Sequence, residues 1–484
     1  MGVLNIPQAL IETFVNDSFV HRFDRNLSAY SLSALWSFIV CVLDVGAAIS
    51  FFISSPIVVR LGSKVSLFIV MNAIQIIGSM FMVTAGYARS FELLILGRLL
   101  VGLAGGLGLS WLPLYLTEVS PTQYRGMVSG LQNIALALGM LSSAILSLPS
   151  VFGTDRLWPL LLGFAALPSF LQMLLFFTVP ETPNFLYLER GNRSAAIRSI
   201  LFYHGSTSNV NCVLEELDQE QIVSESFRSQ RIGFRTIFSQ RRYRLPVLLG
   251  GLANAVAVSN GIEAIFDYST DIFGQTGLSA GKAVYISIVV YCANVLGGIT
   301  AAIFLDRIGR RPLLLGGLVV NVLCCVLFVI CAKLTSTGDE WLTWISVILL
   351  IVHVFAFALG PGTVCTFLAV EIAPHAVRPS AAAISVAISC AISLISMPVY
   401  LVLETAVGSF AFLLFIIPTT VGIVILFIYL PETKGLSIDQ IVANWKNASA
   451  VTDVLETTSN VNSTTSLSSS IKLMPLGHSG IVRR

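Results

Sequence analysis

Charge is scarce in this chain. Only 11% of its 484 residues are Asp, Glu, Lys or Arg, against roughly 25% in a soluble globular protein. With 55% hydrophobic residues and a mean hydropathy of +0.84, most of its surface must face something other than water. A formal net charge of +2 argues for neither a nucleic acid nor an acidic partner. Metal-binding cysteine patterns are also missing. The 8 cysteines show no CxxC or Cys/His spacing, and all but Cys212 sit in apolar runs as small buried hydrophobes. Neither a metal centre nor a disulfide framework is expected. The 5 histidines are scattered, no nucleophile lies with a base and an orienting group, and no phosphate-cradling loop precedes a helix. These gaps argue against an enzyme and leave no cofactor to expect. The first 30 residues lack the basic start, apolar run and small-residue cleavage site of a signal peptide.

What the chain has instead is long apolar runs. Eleven reach the length of about 20 residues that a membrane helix needs. They cover 32–54, 65–86, 93–116, 126–147 and 157–180, then 245–268, 281–305, 313–334, 343–368, 379–403 and 408–430. Barrel strands, at about 9–11 residues, would be far shorter. The expected fold is therefore an all-α membrane protein. Its parts would be an extracellular segment 1–31, a five-span bundle 32–180, a linker 181–244, a six-span bundle 245–430 and a tail 431–484. Lysine and arginine gather beside one set of loops and in the linker, which holds nine arginines, so that side is expected to be cytoplasmic. The Asn16 and Asn26 acceptor motifs then fall outside. In the linker, Val213–Phe227 is patterned as a short amphipathic helix through Val213, Leu214, Leu217, Ile222 and Val223. The Ser/Thr-rich tail has too little apolar surface to bury a core.

Three charged motifs occur twice in the same order, the second copies about 250 residues after the first. Arg60-Leu61-Gly62-Ser63-Lys64 returns as Arg307-Ile308-Gly309-Arg310-Arg311. Glu118 and Arg125 return as Glu371 and Arg378, and Pro180-Glu181-Thr182 returns as Pro431-Glu432-Thr433. The spacing implies two copies of one unit, an architecture common among transporters. The Arg307 motif follows two spans of its half but the Arg60 motif follows one, so the first half is expected to lack its first helix. Glu118, Arg125, Glu181, Arg307, Arg310, Arg311, Glu371, Arg378 and Glu432 are candidates for a gate of salt bridges with closed and broken states. The plainer alternative is a set of head-group anchors that snorkel to the interface. Glycines 102, 105, 106 and 108 are read as close helix packing.

These motifs, with Gly97-Arg98, Gly360-Pro361-Gly362 and Pro431-Glu432-Thr433-Lys434-Gly435, resemble the sugar-porter family of the major facilitator superfamily. The likeness is to the animal facilitative glucose transporters and runs from about Gly2 to about Asn444. The resemblance implies two six-helix bundles rocking around a central site. It also implies that the expected missing span is the family's first.

For the site, the resemblance implies that Asn294 is a sugar-contacting asparagine and that Asn133 stands in place of a glutamine. Tyr268, Ser269 and Thr270 also agree with the family. Elsewhere agreement fades. The paired glutamines are Ala257 and Val258, the serine-glycine is Asn260-Gly261, a further asparagine is Glu263, and a tyrosine is Asp267. The tryptophan after Gly-Pro-Gly is Thr366, the glutamate before it is Ala358, and an asparagine-tryptophan pair is Ser389-Cys390.

Glu263 and Asp267 are four apart on one helix face, after an Asn-Gly that would loosen the helix. They suit either the hydrated outer end of a cavity or a cation or proton site. Asp44 lies mid-span, where a carboxylate needs water or a partner. Relatives that couple to protons pair an acid of the first helix with an arginine at the Arg98 position. With that helix expected absent, such coupling has no route here, and Arg98 is free to snorkel outward.

The expected partners are the lipid bilayer and a small sugar-like solute moved by alternating access, with no nucleic acid. A proton-coupled or cationic-solute carrier of the same fold is the alternative, as is a shortened, transport-dead regulator. A plasma-membrane location is the family default.

Overall fold

Apolar runs in a medium without water must satisfy their own backbone groups, which leaves the helix as the simplest solution. The computed structural model describes residues 7–24, 28–121, 124–205, 210–211, 213–215, 217–218, 234–239, 241–275, 278–334, 340–373 and 377–432. Among them every regular element is helical. Helix α1 is Gln8–Phe23, and α2 is Ala29–Leu61. Helix α3 is Ser63–Ala88 with a π turn at Ser66–Met71, followed by α4 (Phe91–Val119), α5 (Arg125–Leu146) and α6 (Trp158–Leu175). After a short linker helix α7 (Arg193–His204) come α8 (Arg241–Val258), α9 (Ile262–Gln275), α10 (Ala280–Ile308) and α11 (Arg310–Leu334). Helices α12 (Glu340–Leu359), α13 (Pro361–Glu371), α14 (Arg378–Val407) and α15 (Leu413–Tyr429) complete the set.

Ten of these segments are long and apolar enough to cross a membrane, and Leu131–Leu146 is a shorter apolar stretch within α5. Together they match the eleven runs read from sequence. Two spans are broken: α8 and α9 form one, Tyr243–Thr270, and α12 and α13 form another, Trp341–Glu371. At the first break Gly261 adopts φ +86°, and Asn260 Oδ1 accepts from the Ile262 amide (2.9 Å), capping the second half-helix. Serine caps serve elsewhere: Ser28 Oγ accepts from the Ser31 amide at 3.2 Å.

Helix α1 is no free tail. Ile11 and Val15 are buried against Trp36, Ile39, Leu94 and Trp158. Ser18 Oγ donates to Arg89 O (2.7 Å) and accepts from the Phe91 amide (3.2 Å), pinning α1 to the corner between α3 and α4. Arg22 pairs with Glu92 on the surface. In the linker, Leu214 and Leu217 bury against Ile200 with Val213 beside them. Ile222 and Val223 lie outside the described residues, as do Asn26 and the chain from residue 433 onward.

Small residues bring α2 and α4 together. A Cβ on Gly102 would lie 2.0 Å from Leu43 O, and one on Gly46 would lie 2.1 Å from Leu99 O. Gly106 is similarly tight against Ala47, while Gly105 faces open space and Gly108 meets only the Met71 sulfur. Across the two halves, α2 packs on α14 and α5 on α10. Val370 and Ala382 join the cluster of Trp111 and Leu114 at the motif-bearing end, and Ala144 joins the aromatic cluster of Tyr400, Phe412 and Phe415 at the other.

Candidate functional site

At the motif-bearing end the two copies build the same corner. Gly62 (φ +94°) and Gly309 (φ +105°) each turn the chain into the next helix in a conformation that favours glycine. The fresh helix end exposes backbone amides, and a carboxylate from the third motif takes them. Glu181 Oε1 accepts from the amides of Lys64 (2.9 Å) and Thr182 (3.1 Å). Glu432 accepts from the amides of Arg310 (3.0 Å) and Arg311 (3.1 Å). Burial pushes the Glu181 carboxyl above the usual carboxylate range, against the opposing pull of those amides and of Lys64.

The middle motif differs between the halves. Ser63 Oγ donates to Glu118 Oε2 at 2.9 Å, whereas at the equivalent position Arg310 Nε meets Glu371 Oε1 at 3.4 Å. Arg378 is buried, donates through Nε to Ala373 O (3.2 Å), and lies within Coulombic reach of Glu118 in the other half. Arg311 packs its guanidinium on Phe427 and donates to Phe427 O, and Arg307 is exposed. The Arg125 side chain is outside the described residues.

The amides singled out from sequence lie on the seam between the halves. Asn133, on α5, is buried and donates through Nδ2 to Thr363 Oγ1 (2.7 Å) and Ala358 O (3.3 Å) at the α12–α13 break. Asn294, on α10, is buried with Nδ2 3.8 Å from the Met140 sulfur of α5. Tyr268 is buried and stacks on Tyr400 with ring centroids 6.1 Å apart. Glu263 and Asp267 on α9 are half-buried, and Glu263 accepts a hydrogen bond from Ser393 Oγ of α14.

Arg98 does not snorkel. It is 5% exposed, it donates through Nη2 to Val40 O (3.2 Å), and it lies within Coulombic reach of Asp267 and Asp44. Asp44 is 7% exposed and feels Asp267 across the seam. Among the described residues, Asp44 Oδ1 and Arg98 Nε have no hydrogen-bond partner.

Sequence reading left Asp44 and Arg98 out of the site, along with Thr363 and Ser393. A charge inside a span was the available signal for the first two. The hydroxyls had none.

The break at Asn260 is tied to its surroundings. With the Asn321 amide turned to match its neighbours, Asn321 accepts from Asn260 Nδ2 (2.8 Å) and donates to His353 O (3.0 Å). The His353 ring is fully buried beside Cys325, with Nδ1 3.5 Å from the sulfur.

Two helical halves meeting at a polar seam, closed at one end by paired carboxylate-capped corners, define a multi-pass membrane carrier. The comparisons agree. The family model "Sugar (and other) transporter" matches residues 1–445, and the chain belongs to that family. It is 30% identical over 449 residues to facilitated glucose transporter member 1 of Gallus gallus, covering 93% of this chain and 90% of the relative. It is 31% identical over 447 residues to member 4 of Homo sapiens, covering 92% and 86%. Among solved structures, the proton:xylose symporter XylE, bound to 6-bromo-6-deoxy-D-glucose, superposes with a TM-score of 0.74 at 20% identity. That match covers 92% of this chain and 98% of the other. An inward open XylE from E. coli superposes with a TM-score of 0.61 at 21% identity, covering 92% and 97%. The fold is the major facilitator fold.

Proposed function

We propose that this chain carries a hexose or a similar small polar solute across a membrane by alternating access, facilitatively and without covalent chemistry. Family membership supports the class of solute, and one observation carries the mechanism. Asn133 spends its amide on Thr363 and Ala358 of the opposite half. Those are neutral donor and acceptor groups of the kind that sugar hydroxyls exchange with at little net cost. A solute entering the seam replaces this bond, and the seam re-forms behind it. Asn294 and Tyr268 supply further contacts, and Glu263 and Asp267 accept from hydroxyls. Residues 32–180 and 245–430 are the two moving bodies. Glu118 and Arg378 hold them closed at the motif end, with the Arg310–Glu371 pair bracing the second half, Arg125, Arg307 and Arg311 alongside, and Glu181 and Glu432 fixing the corners. That end and the C-terminus face the cytosol, α1 with its Asn16 acceptor faces outward, and the membrane is the plasma membrane.

Uptake of labelled D-glucose by proteoliposomes tests the reading. Saturable uptake, competed by unlabelled hexoses and weakened about tenfold in KM by Asn133→Ala, is expected. Correctly inserted protein that moves no hexose would sink it and leave the transport-dead reading.

A further inference from the structure

A break inside a span frees backbone groups that no water can satisfy, so it persists only where the protein supplies partners. Where α8 ends, side chains from two other helices take the freed carbonyls. Thr419 Oγ1 of α15 donates to Ser259 O (3.0 Å), and Cys325 Sγ of α11 lies 3.9 Å from Asn260 O, within the longer reach of a thiol donor. Phe415 of α15 closes on Gly261, where an added Cβ would lie 2.9 Å from its ring.

The Asn260 side chain is held at both of its polar atoms. Its Oδ1 takes the Ile262 amide at the start of α9, and its Nδ2 donates to Asn321 of α11. Asn321 and His353 of α12 bond one another reciprocally. The Asn321 amide donates to His353 O (3.0 Å), and His353 Nδ1 lies 3.3 Å from Asn321 O. A carbonyl can only accept, so Nδ1 carries the ring proton. Both residues are fully buried, and among the described residues His353 Nε2 has no hydrogen-bond partner. A buried imidazole with an unpaired nitrogen costs free energy that an apolar side chain would not. What this one supplies is orientation. Gly317 O and His353 O take the amide hydrogens of Asn321, which leaves the Asn321 oxygen facing Asn260.

We propose that Asn321 and His353 are positioning residues for transport, which fix the Asn260 side chain and through it the start of α9. That helix carries the solute contacts Glu263, Asp267 and Tyr268. Without Asn321, the Asn260 side chain turns away from the Ile262 amide, α9 starts uncapped and the three contacts lose their common orientation. The inference rests on the carrier reading for its effect on solute, while the hold on α9 stands apart from it.

Hydrogen–deuterium exchange of the purified full chain in detergent, read by mass spectrometry, tests the hold directly. In Asn321→Leu the amides of residues 261–266 should exchange about tenfold faster, while those of α15 stay unchanged. His353→Phe should move the same amides by less, and it serves where the first variant does not fold. Asn260→Ala should match Asn321→Leu, and the double variant should add little to either, because Asn321 acts through Asn260. In proteoliposomes, Asn321→Leu should raise KM for equilibrium exchange of labelled D-glucose about tenfold and leave the maximal rate little changed. Amides at 261–266 that exchange no faster, a rise spread evenly over all spans, or full additivity in the double variant overturns the proposal. Faster amides with an unchanged KM overturn the role in transport. Absence of glucose exchange by the unaltered protein defeats the hexose reading alone, and the amides then decide the hold on α9.

Discussion

The two motif corners share a backbone and differ in one pairing. In the second half the residue after the turning glycine is Arg310, which meets Glu371; in the first half it is Ser63, which gives Glu118 only a hydroxyl. The second half thus neutralises its carboxylate internally. The first half leaves Glu118 with charge to spare, and the cation in reach is Arg378 of the other half. A duplicated motif has become a donor and a recipient, so the corner with the weaker internal bond is the one whose carboxylate reaches the other half.

Breaking the stronger corner should cost most. Arg310→Ala removes the 3.4 Å ion pair from the partly buried Glu371, and thermal unfolding in detergent should register a loss of about 3 kcal/mol. The shared turn comes next. Gly309→Ala and Gly62→Ala each force a side chain into positive φ, with the new Cβ 2.7 Å from a capping carboxylate oxygen. Each should lose about 1–3 kcal/mol in the same assay, and to a similar extent if the corners are equivalent. Ser63→Ala should cost less, about 1–2 kcal/mol, while Ser63→Arg should give the first corner the internal pair of the second. That variant frees Arg378 from Glu118, so solute exchange should speed up; an unchanged rate would break the comparison. Smallest in stability is Asn133→Ala, at about 1 kcal/mol, because Thr363 Oγ1 keeps its own hydrogen bond to Ala358 O (2.6 Å) when the amide is lost.

Much of this was legible in the chain. Membrane helices announce themselves by composition, since every residue of a span meets the same solvent. The α8–α9 break was visible as Asn260-Gly261, and the corners were visible because they are written twice. What could not be read were contacts set by packing between distant segments. Arg98 looked free to reach the interface, yet Gly46 and Gly102 draw α2 so close that its side chain is enclosed. Glu181 and Glu432 read as partners for arginine side chains, and they also accept from the amides at a helix end, which depends on a turn and not on residue type. Asn133 was read as an amide standing where the family has a glutamine; that it reaches the opposite half depends on Thr363, a residue with no distinguishing pattern.

The capped break at Asn260 has a mechanical consequence. A kink supported only by its own backbone would bend anywhere along two or three residues and dissipate a push as local fraying. Here the bending residue is bolted through Asn321 to α11 and α12, so the pivot stays fixed in the frame of the second half. A push on α9 would turn it as a lever about that point, and the torque would reach Glu263 and Asp267, within about one and two turns of the fulcrum.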